Sequence, residues 1–389
     1  MKETLPPKRT FLACAAACAC ILSGLLLLQA RAQRLPNRGA GRFMRTVIAE
    51  ARGRHALSSL AFRNVTMAGY YENLLRESEE SEGRSLIAWL WTGEKWSRTH
   101  GQADIYIRQG FLLWEPRPGF AKVDLKEGPV FTNSHGMFAP EYPVEKSAAI
   151  RRIALLGDSL ARGYGIAMDR RFDKLFERRL NAEGRAGGGK RFEVLNFAVT
   201  AYRPTQMYDV AVRKASLFQP DVYMITLTEL GVSNNWSSHL AQLLPHGIDP
   251  RYDFLRQALA AAGVHRNDEP LVAQTKLARY QLPILRSLLL HLKKFADLSS
   301  ANVIVVFLSG VEPPELSLPP FRGIRELVTE TGVTMVDLLD TFSSTSDLDT
   351  MRVAWYDPHP NPDGHQLIAN NLYRKLREQP AGWSALVGR

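Results

Sequence analysis

From Arg151 onward the chain alternates short, uninterrupted apolar runs with longer stretches whose apolar positions recur every third and fourth residue. The runs Ile153–Leu156, Phe192–Phe197, Val222–Leu227, Val303–Leu308 and Thr334–Leu338 read as strands buried on both faces. Between them, Pro204–Phe218, Leu271–Leu298 and Phe321–Thr331 carry a repeat of about 3.6 residues, which predicts helices. Strands alternating with helices build a parallel sheet covered on both faces, an α/β architecture of three layers. In such sheets ligands bind beyond the carboxyl ends of the strands, where the strand order reverses. A reactive side chain is therefore expected directly after a strand.

The texture before residue 149 is different. Ala103-Asp-Ile-Tyr-Ile-Arg108 alternates like a half-buried strand, and Gly110-Phe-Leu-Leu-Trp-Glu-Pro116 is a second short run closed by Pro116 and Pro118. Residues 55–148 are expected to form a small accessory region with some β structure. Its Asn133-Ser-His-Gly136 turn either borders the site or is a plain surface loop. Residues 33–54 are a basic linker containing Pro and Gly. In residues 1–32, Lys2, Lys8 and Arg9 precede an apolar stretch from Phe11 to Leu28, followed by Gln29-Ala-Arg-Ala-Gln33. A basic start, an apolar middle and an Ala-x-Ala site describe a secretory signal. At about 18 residues the stretch also reaches the lower limit for crossing a bilayer, so a cleaved signal and a retained anchor through residues 10–30 both stay open. Either one places the remainder outside the cytoplasmic membrane, in a periplasmic or extracellular setting.

Composition narrows the chemistry. The 389 residues are 45% hydrophobic and 23% charged, which suits one large globular domain, here residues 149–389, with its accessory region. The net charge of +10 is scattered and not gathered into runs with interleaved aromatics. It suits a solvated face, anionic cell-surface polymers or lipid headgroups better than nucleic acid. All three cysteines, Cys14, Cys18 and Cys20, fall in the N-terminal apolar stretch. A chain cleaved after Ala32 has no thiol for disulfides, catalysis or zinc. The residue three before each cysteine is Phe11 or an alanine, unlike the aliphatic residue of a lipoprotein signal.

The first strand runs directly into Gly157-Asp-Ser159. Gly157 permits a tight exit, and a following helix turns its first amides toward the serine. A serine hydroxyl becomes a nucleophile only beside a base, which is commonly a histidine oriented by a carboxylate. Near the C-terminus stands Asp357-Pro-His359-Pro-Asn361-Pro-Asp-Gly-His365. Pro358 and Pro360 stiffen the expected loop around His359, Asn361 and Pro362 open a final helix over Asp363–Glu378, and Asp357 lies two residues from the histidine.

These two blocks, IALLGDS with a following Gly-x-Gly and DPHPNPDGHQLIA, resemble the SGNH hydrolase superfamily, the GDSL-type esterases and lipases, over Arg151 to Arg377. The resemblance implies a flavodoxin-like αβα sandwich and a Ser/His/Asp site that cleaves esters of lipids, sugars or small acyl groups without a cofactor. By position it assigns Ser159 as nucleophile, His359 as base and Asp357 as orienting acid. The common pattern has the aspartate three before the histidine, where Tyr356 stands. The family's oxyanion glycine corresponds to Ala201, whose backbone N–H can still donate. The asparagine of the third block falls on Leu230; only a shifted loop supplies Asn234 or Asn235, which otherwise form a turn or a helix cap.

Other candidates fail on spacing. Gly187-Gly-Gly-Lys190 lacks the Ser/Thr and the spaced glycine of a phosphate loop. His359 and His365, separated by Pro360 and Pro362, do not share a helix face as metal ligands do, and Leu282–Leu298 reads as a core-facing helix. No metal or cofactor is implied. Three classes remain: an exported ester hydrolase of the envelope, an O-acyltransferase using the same acyl-enzyme with a sugar hydroxyl as acceptor, and a non-catalytic carbohydrate- or lipid-binding protein on the same fold.

Overall fold

The computed structural model describes residues 105–124, 128–186, 189–232, 238–354 and 357–388. The signal or anchor and the linker lie outside the described residues, as do the first half of the accessory region, Gly187, Asn234 and Asn235.

A parallel sheet of five strands, β5 (Ile150–Leu156), β6 (Arg191–Asn196), β7 (Val222–Thr228), β8 (Asn302–Leu308) and β9 (Thr334–Asp337), runs in the order β6-β5-β7-β8-β9. Ile153 stands opposite Val222, Val222 opposite Asn302, and Ile304 opposite Thr334. Every residue of β7 is buried, which is why these strands appear as continuous apolar runs. Alternate residues serve opposite layers. Ala154, Leu156, Tyr223, Ile225, Val305 and Phe307 pack with helices Pro204–Arg213, Gln281–Asp297 and Ile324–Glu330. Ile153, Leu155, Met224, Ile304 and Val306 pack with helices Phe172–Ala186, Pro362–Glu378 and Pro380–Val387. Each fully buried aliphatic side chain contributes about 1.5–3 kcal/mol, so the sheet is the rigid platform of the molecule. Its order reverses at β5, with β6 on one side and β7 on the other, and this puts the crevice at the end of β5.

The predicted helix Leu271–Leu298 is two helices, Pro270–Leu277 and Gln281–Asp297, joined by a 3-10 turn over Ala278–Tyr280. Pro283 explains the break. It lacks an N–H and its ring would clash with the carbonyl four residues back, yet it is tolerated in the first turn of a new helix. The segment Pro204–Phe218 likewise ends its α-helix at Arg213 and continues as a 3-10 turn.

The described part of the accessory region is two antiparallel hairpins: β1 (Tyr106–Gln109) with β2 (Leu113–Pro116), and β3 (Ala121–Asp124) with β4 (Gly128–Phe131). Three backbone carbonyls tie the first to the main domain. Phe111 O accepts from His239 Nε2 at 2.7 Å, Leu112 O from Gln206 Nε2 at 2.8 Å and Trp114 O from the Tyr202 hydroxyl at 2.7 Å. Burial pushes His239 down to about 4, so the ring is neutral at pH 7. Its Nε2–H donates to Phe111 O while Nδ1 accepts from the Thr205 hydroxyl at 2.8 Å. The segment leading into β5 is held by the buried Arg152, which pairs with Glu193 at 3.0 Å and donates to the carbonyls of Pro143, Val144 and Phe218.

Candidate active site

Ser159 is the third residue beyond β5, and Gly157 makes the junction possible. A Cβ on Gly157 would lie 2.1 Å from Thr226 Oγ1 and 2.4 Å from the Ala161 Cβ, so only glycine fits where β7 and the turn converge. Asp158 then caps the next helix, Ser159–Arg162, its Oδ1 accepting from the Leu160 N–H at 3.0 Å and its Oδ2 from the Thr228 hydroxyl. Burial raises the Asp158 pKa, and the hydrogen bonds from Thr228 and Leu160 act against that rise. The helix is a single turn ended by Gly163 at φ 71°. It offers Ser159 local amides instead of an extended helix field.

The histidine does not sit on a loop. Asp357–Pro360 is a short strand, β11, antiparallel to β10 (Arg352–Ala354). Two prolines hide a strand in sequence, but in a two-stranded ribbon a missing N–H is tolerated at the edge. Extended backbone explains the one-residue spacing, because side chains at i and i+2 leave a strand on the same face. His359 Nδ1 is 2.6 Å from Asp357 Oδ1, which also accepts the His359 backbone N–H at 3.0 Å. His359 Nε2 is 2.9 Å from Ser159 Oγ. With a carboxylate facing Nδ1, the proton is assigned there, and Nε2 is left to accept from the serine. Ser159, Asp357 and His359 are 0%, 4% and 1% exposed, so water screens none of these contacts. The Tyr164 ring packs beside the imidazole, centroids 5.3 Å apart.

Ala201 lies after β6 at φ 63°, a left-handed conformation that glycine adopts freely and that costs an L-residue about 1–2 kcal/mol. The turn is fixed on both sides: Val199 N–H donates to Gly157 O at 3.1 Å and Tyr202 N–H to Val199 O at 3.1 Å. No described residue accepts from the Ala201 N–H. The other oxyanion candidates, Asn234 and Asn235, lie outside the described residues.

Residues 155–367, more than half of the chain, match the GDSL-like lipase/acylhydrolase family. The chain belongs to this family. Its reaction class is carboxylic ester hydrolysis. Solved structures similar to this GDSL-like hydrolase include TesA, at 13% identity over 59% of this chain and 99% of TesA, with a TM-score of 0.38. The psychrotrophic esterase EstA from Pseudoalteromonas sp. is similar at 14% identity over 59% and 97% of the two chains, TM-score 0.36. An S15A mutant of the acetylxylan esterase Axe2 from Geobacillus stearothermophilus is similar at 15% identity over 58% and 94%, TM-score 0.39. No curated protein matches the chain.

Several neighbours of the GDSL-like site escaped the sequence reading. Arg162 is buried, its guanidinium 3.9 Å from the Phe138 ring centroid and its Nη1 3.0 Å from Thr200 Oγ1. Phe138 is thus an accessory side chain that reaches the Ser159–Arg162 helix. In the Asn133–Gly136 turn, His135 packs edge-on against Phe218 with ring centroids 4.9 Å apart, and His135 and Gly136 share a small cavity with Ala198, Val199 and Tyr202. An arginine inside the otherwise apolar Leu-Ala-Arg-Gly was the available signal. His365, the other half of the rejected metal pair, accepts from the Phe172 N–H at 3.2 Å through Nδ1 and stacks on the Phe172 ring. Burial pushes it down to about 3, a neutral packing residue. Among the described residues no three His, Cys, Asp or Glu gather into a metal-holding group, and no helix is long and apolar enough to cross a membrane.

Proposed function

We propose that this chain is an exported serine hydrolase that cleaves acyl or O-acetyl esters of envelope lipids or polysaccharides through an acyl-enzyme. The observation that carries the proposal is the hydrogen-bonded line from Ser159 Oγ through His359 to Asp357. Ser159 Oγ attacks the ester carbonyl carbon while His359 Nε2 takes its proton, and the carbonyl oxygen becomes an oxyanion facing the N–H groups of Ser159 and Ala201. Collapse breaks the bond to the alcohol, which leaves with the proton from His359. Water, deprotonated by the same nitrogen, then attacks the acyl-serine, and the acid departs as Ser159 regains its proton. Asp357 holds the imidazole in the right tautomer and stabilises its cationic form at both stages. One well-placed oxyanion donor is worth roughly 3–4 kcal/mol of barrier.

Export is inferred from the basic, apolar and Ala-x-Ala pattern of residues 1–32, and an envelope substrate follows from that location. The net charge of +10 favours an anionic lipid or glycan surface. A fluorophosphonate probe tests the nucleophile, since capture needs an activated serine. Labelling of wild type that vanishes in Ser159→Ala is expected. A folded wild type that resists the probe would overturn the proposal in favour of a binding protein. Product analysis with and without a sugar acceptor distinguishes release of free acid from acyl transfer.

A further inference from the structure

Glu229 is the first residue beyond β7, in the short helix Glu229–Val232. A charged residue leaving a strand ordinarily faces water, yet this one is buried. Its Oε1 accepts from the Gly310 N–H at 2.8 Å, and its Oε2 is buried with no partner among the described residues.

The contact leads to the catalytic histidine. A Cβ on Gly310 would lie 2.9 Å from Glu229 Oε1, 3.2 Å from Pro358 O and 3.3 Å from Pro358 Cβ, so Gly310 is pressed between the glutamate and the residue that separates Asp357 from His359. The next N–H, of Val311, donates to Pro358 O at 2.8 Å, and Val311 O accepts from Arg352 Nε at 2.8 Å. Arg352 in turn stands opposite Pro360 in the β10–β11 ribbon. Both flanks of His359 are therefore set by the Gly310–Val311 turn, which Glu229 holds. On its other side Glu229 adjoins Thr228, whose hydroxyl serves the Asp158 cap of the nucleophile.

The surroundings select the protonation state. Among the groups acting on Glu229, Asp158, in the turn after β5, and Glu312, after β8 and itself 3.7 Å from Arg352, are acids that oppose ionisation, while the N–H groups of Gly310 and of Glu229 itself favour it and burial outweighs both. Pro319–Phe321, packed against the Glu229 helix, brings no titratable group. On β11, Pro358 meets Gly310 and the Asp357 carboxylate is turned to His359. An unpartnered oxygen costs far less neutral than charged.

We infer that Glu229 is a positioning residue for His359, held as the neutral acid, and that its ionisation releases the Gly310–Val311 turn and sets an alkaline limit to activity. This rests on the assignment of Ser159 and His359 as nucleophile and base. Burial, and then the two acids, push the Glu229 pKa up to about 8. A proton held more tightly in the folded than in the unfolded chain gives stability that is full below the unfolded value of about 4.5 and is lost as pH rises through about 8.

The test is a pair of variants, Glu229→Gln and Glu229→Ala, in the full chain, with hydrolysis of p-nitrophenyl acetate followed from pH 6 to 9.5 and Tm from pH 4.5 to 9.5. Glu229→Gln keeps an acceptor for Gly310. It is expected to retain at least half the wild-type kcat at pH 7, to lose the alkaline fall near pH 8, and to gain Tm relative to wild type between pH 5 and 8 with a constant difference above. Glu229→Ala is expected to lower kcat roughly tenfold with KM within about twofold. Identical pH profiles for wild type and Glu229→Gln overturn the inference, as does a Gln variant as impaired as the Ala variant. The Tm comparison needs no turnover: a Tm difference independent of pH shows that Glu229 does not hold a proton and sinks the inference alone. Failure of wild type to react with the fluorophosphonate sinks the assignment of Ser159 on which it rests.

Discussion

His359 Nε2 stands 2.9 Å from Ser159 Oγ although 200 positions separate the two residues in the chain. The two ends of the domain are brought to one crevice because β5 lies inside the sheet, between β6 and β7, and β11 brings His359 to its end. Ser159→Ala is expected to abolish turnover of a short-chain aryl ester. His359→Ala should lower kcat by a comparable factor, because the two act as one unit. Asp357→Asn keeps the geometry but favours the wrong tautomer, and a loss of about 10⁴ in kcat is expected. Steady-state kinetics on the three variants measures this, and full activity in Ser159→Ala would refute the assignment.

Ala201 carries a strain that can be relieved. At φ 63° a glycine removes the clash of Cβ with the following carbonyl, and its greater freedom in the unfolded chain offsets part of the gain. Ala201→Gly is therefore expected to leave kcat within about threefold and to raise stability by about 0.5–1 kcal/mol. Ala201→Val, β-branched in a left-handed conformation, should lower both. Urea unfolding and kcat on the same preparations check the pair. A Val variant as active and stable as wild type would mean that the turn does not constrain this residue.

The five sheet strands were legible because strands buried on both faces leave unbroken apolar runs, and β7, buried throughout, is the clearest of them. The Ser159/Asp357/His359 set was legible because its motifs sit where chain topology demands. What could not be read depends on tertiary contacts. Asp357–Pro360 concealed a strand behind two prolines, and the apolar continuity of Leu271–Leu298 concealed a helix break that Pro283 alone signals. The burial of Glu229 could not be read, since nothing local reveals that its carboxyl group meets the Gly310 N–H. The left-handed turn at Ala201 carries an alanine where the family's glycine would have announced it.

Export is expected from residues 1–32. A reporter active only in the cytosol, fused after residue 150, should be silent, and removal of residues 1–32 should restore it. The mass of the mature N-terminus separates cleavage after Ala32 from a retained anchor. Strong reporter activity with the segment intact would contradict export.

Thr228 tests whether the cap on the turn that carries Ser159 matters for chemistry. Its hydroxyl donates to Asp158 and its oxygen accepts the Gly231 N–H at 2.9 Å. Thr228→Val keeps the shape but removes both bonds, leaving a buried carboxylate oxygen without that donor. The cost is about 1–3 kcal/mol of stability, and a roughly tenfold lower kcat is expected as Asp158, and with it Ser159, loses its anchor. The deficit has a defined pH dependence. Burial already raises the folded pKa of Asp158, and the lost hydrogen bond had opposed that rise; without it the raised value climbs further. A raised folded pKa gives stability that is present in acid and lost as pH rises through it. The gap in Tm between Thr228→Val and wild type should accordingly be smaller at pH 4 than at pH 8. Thr228→Ser, which restores the hydroxyl, should recover most of both stability and kcat. A Val variant with wild-type kcat would show that the Asp158 cap holds the turn without help from β7.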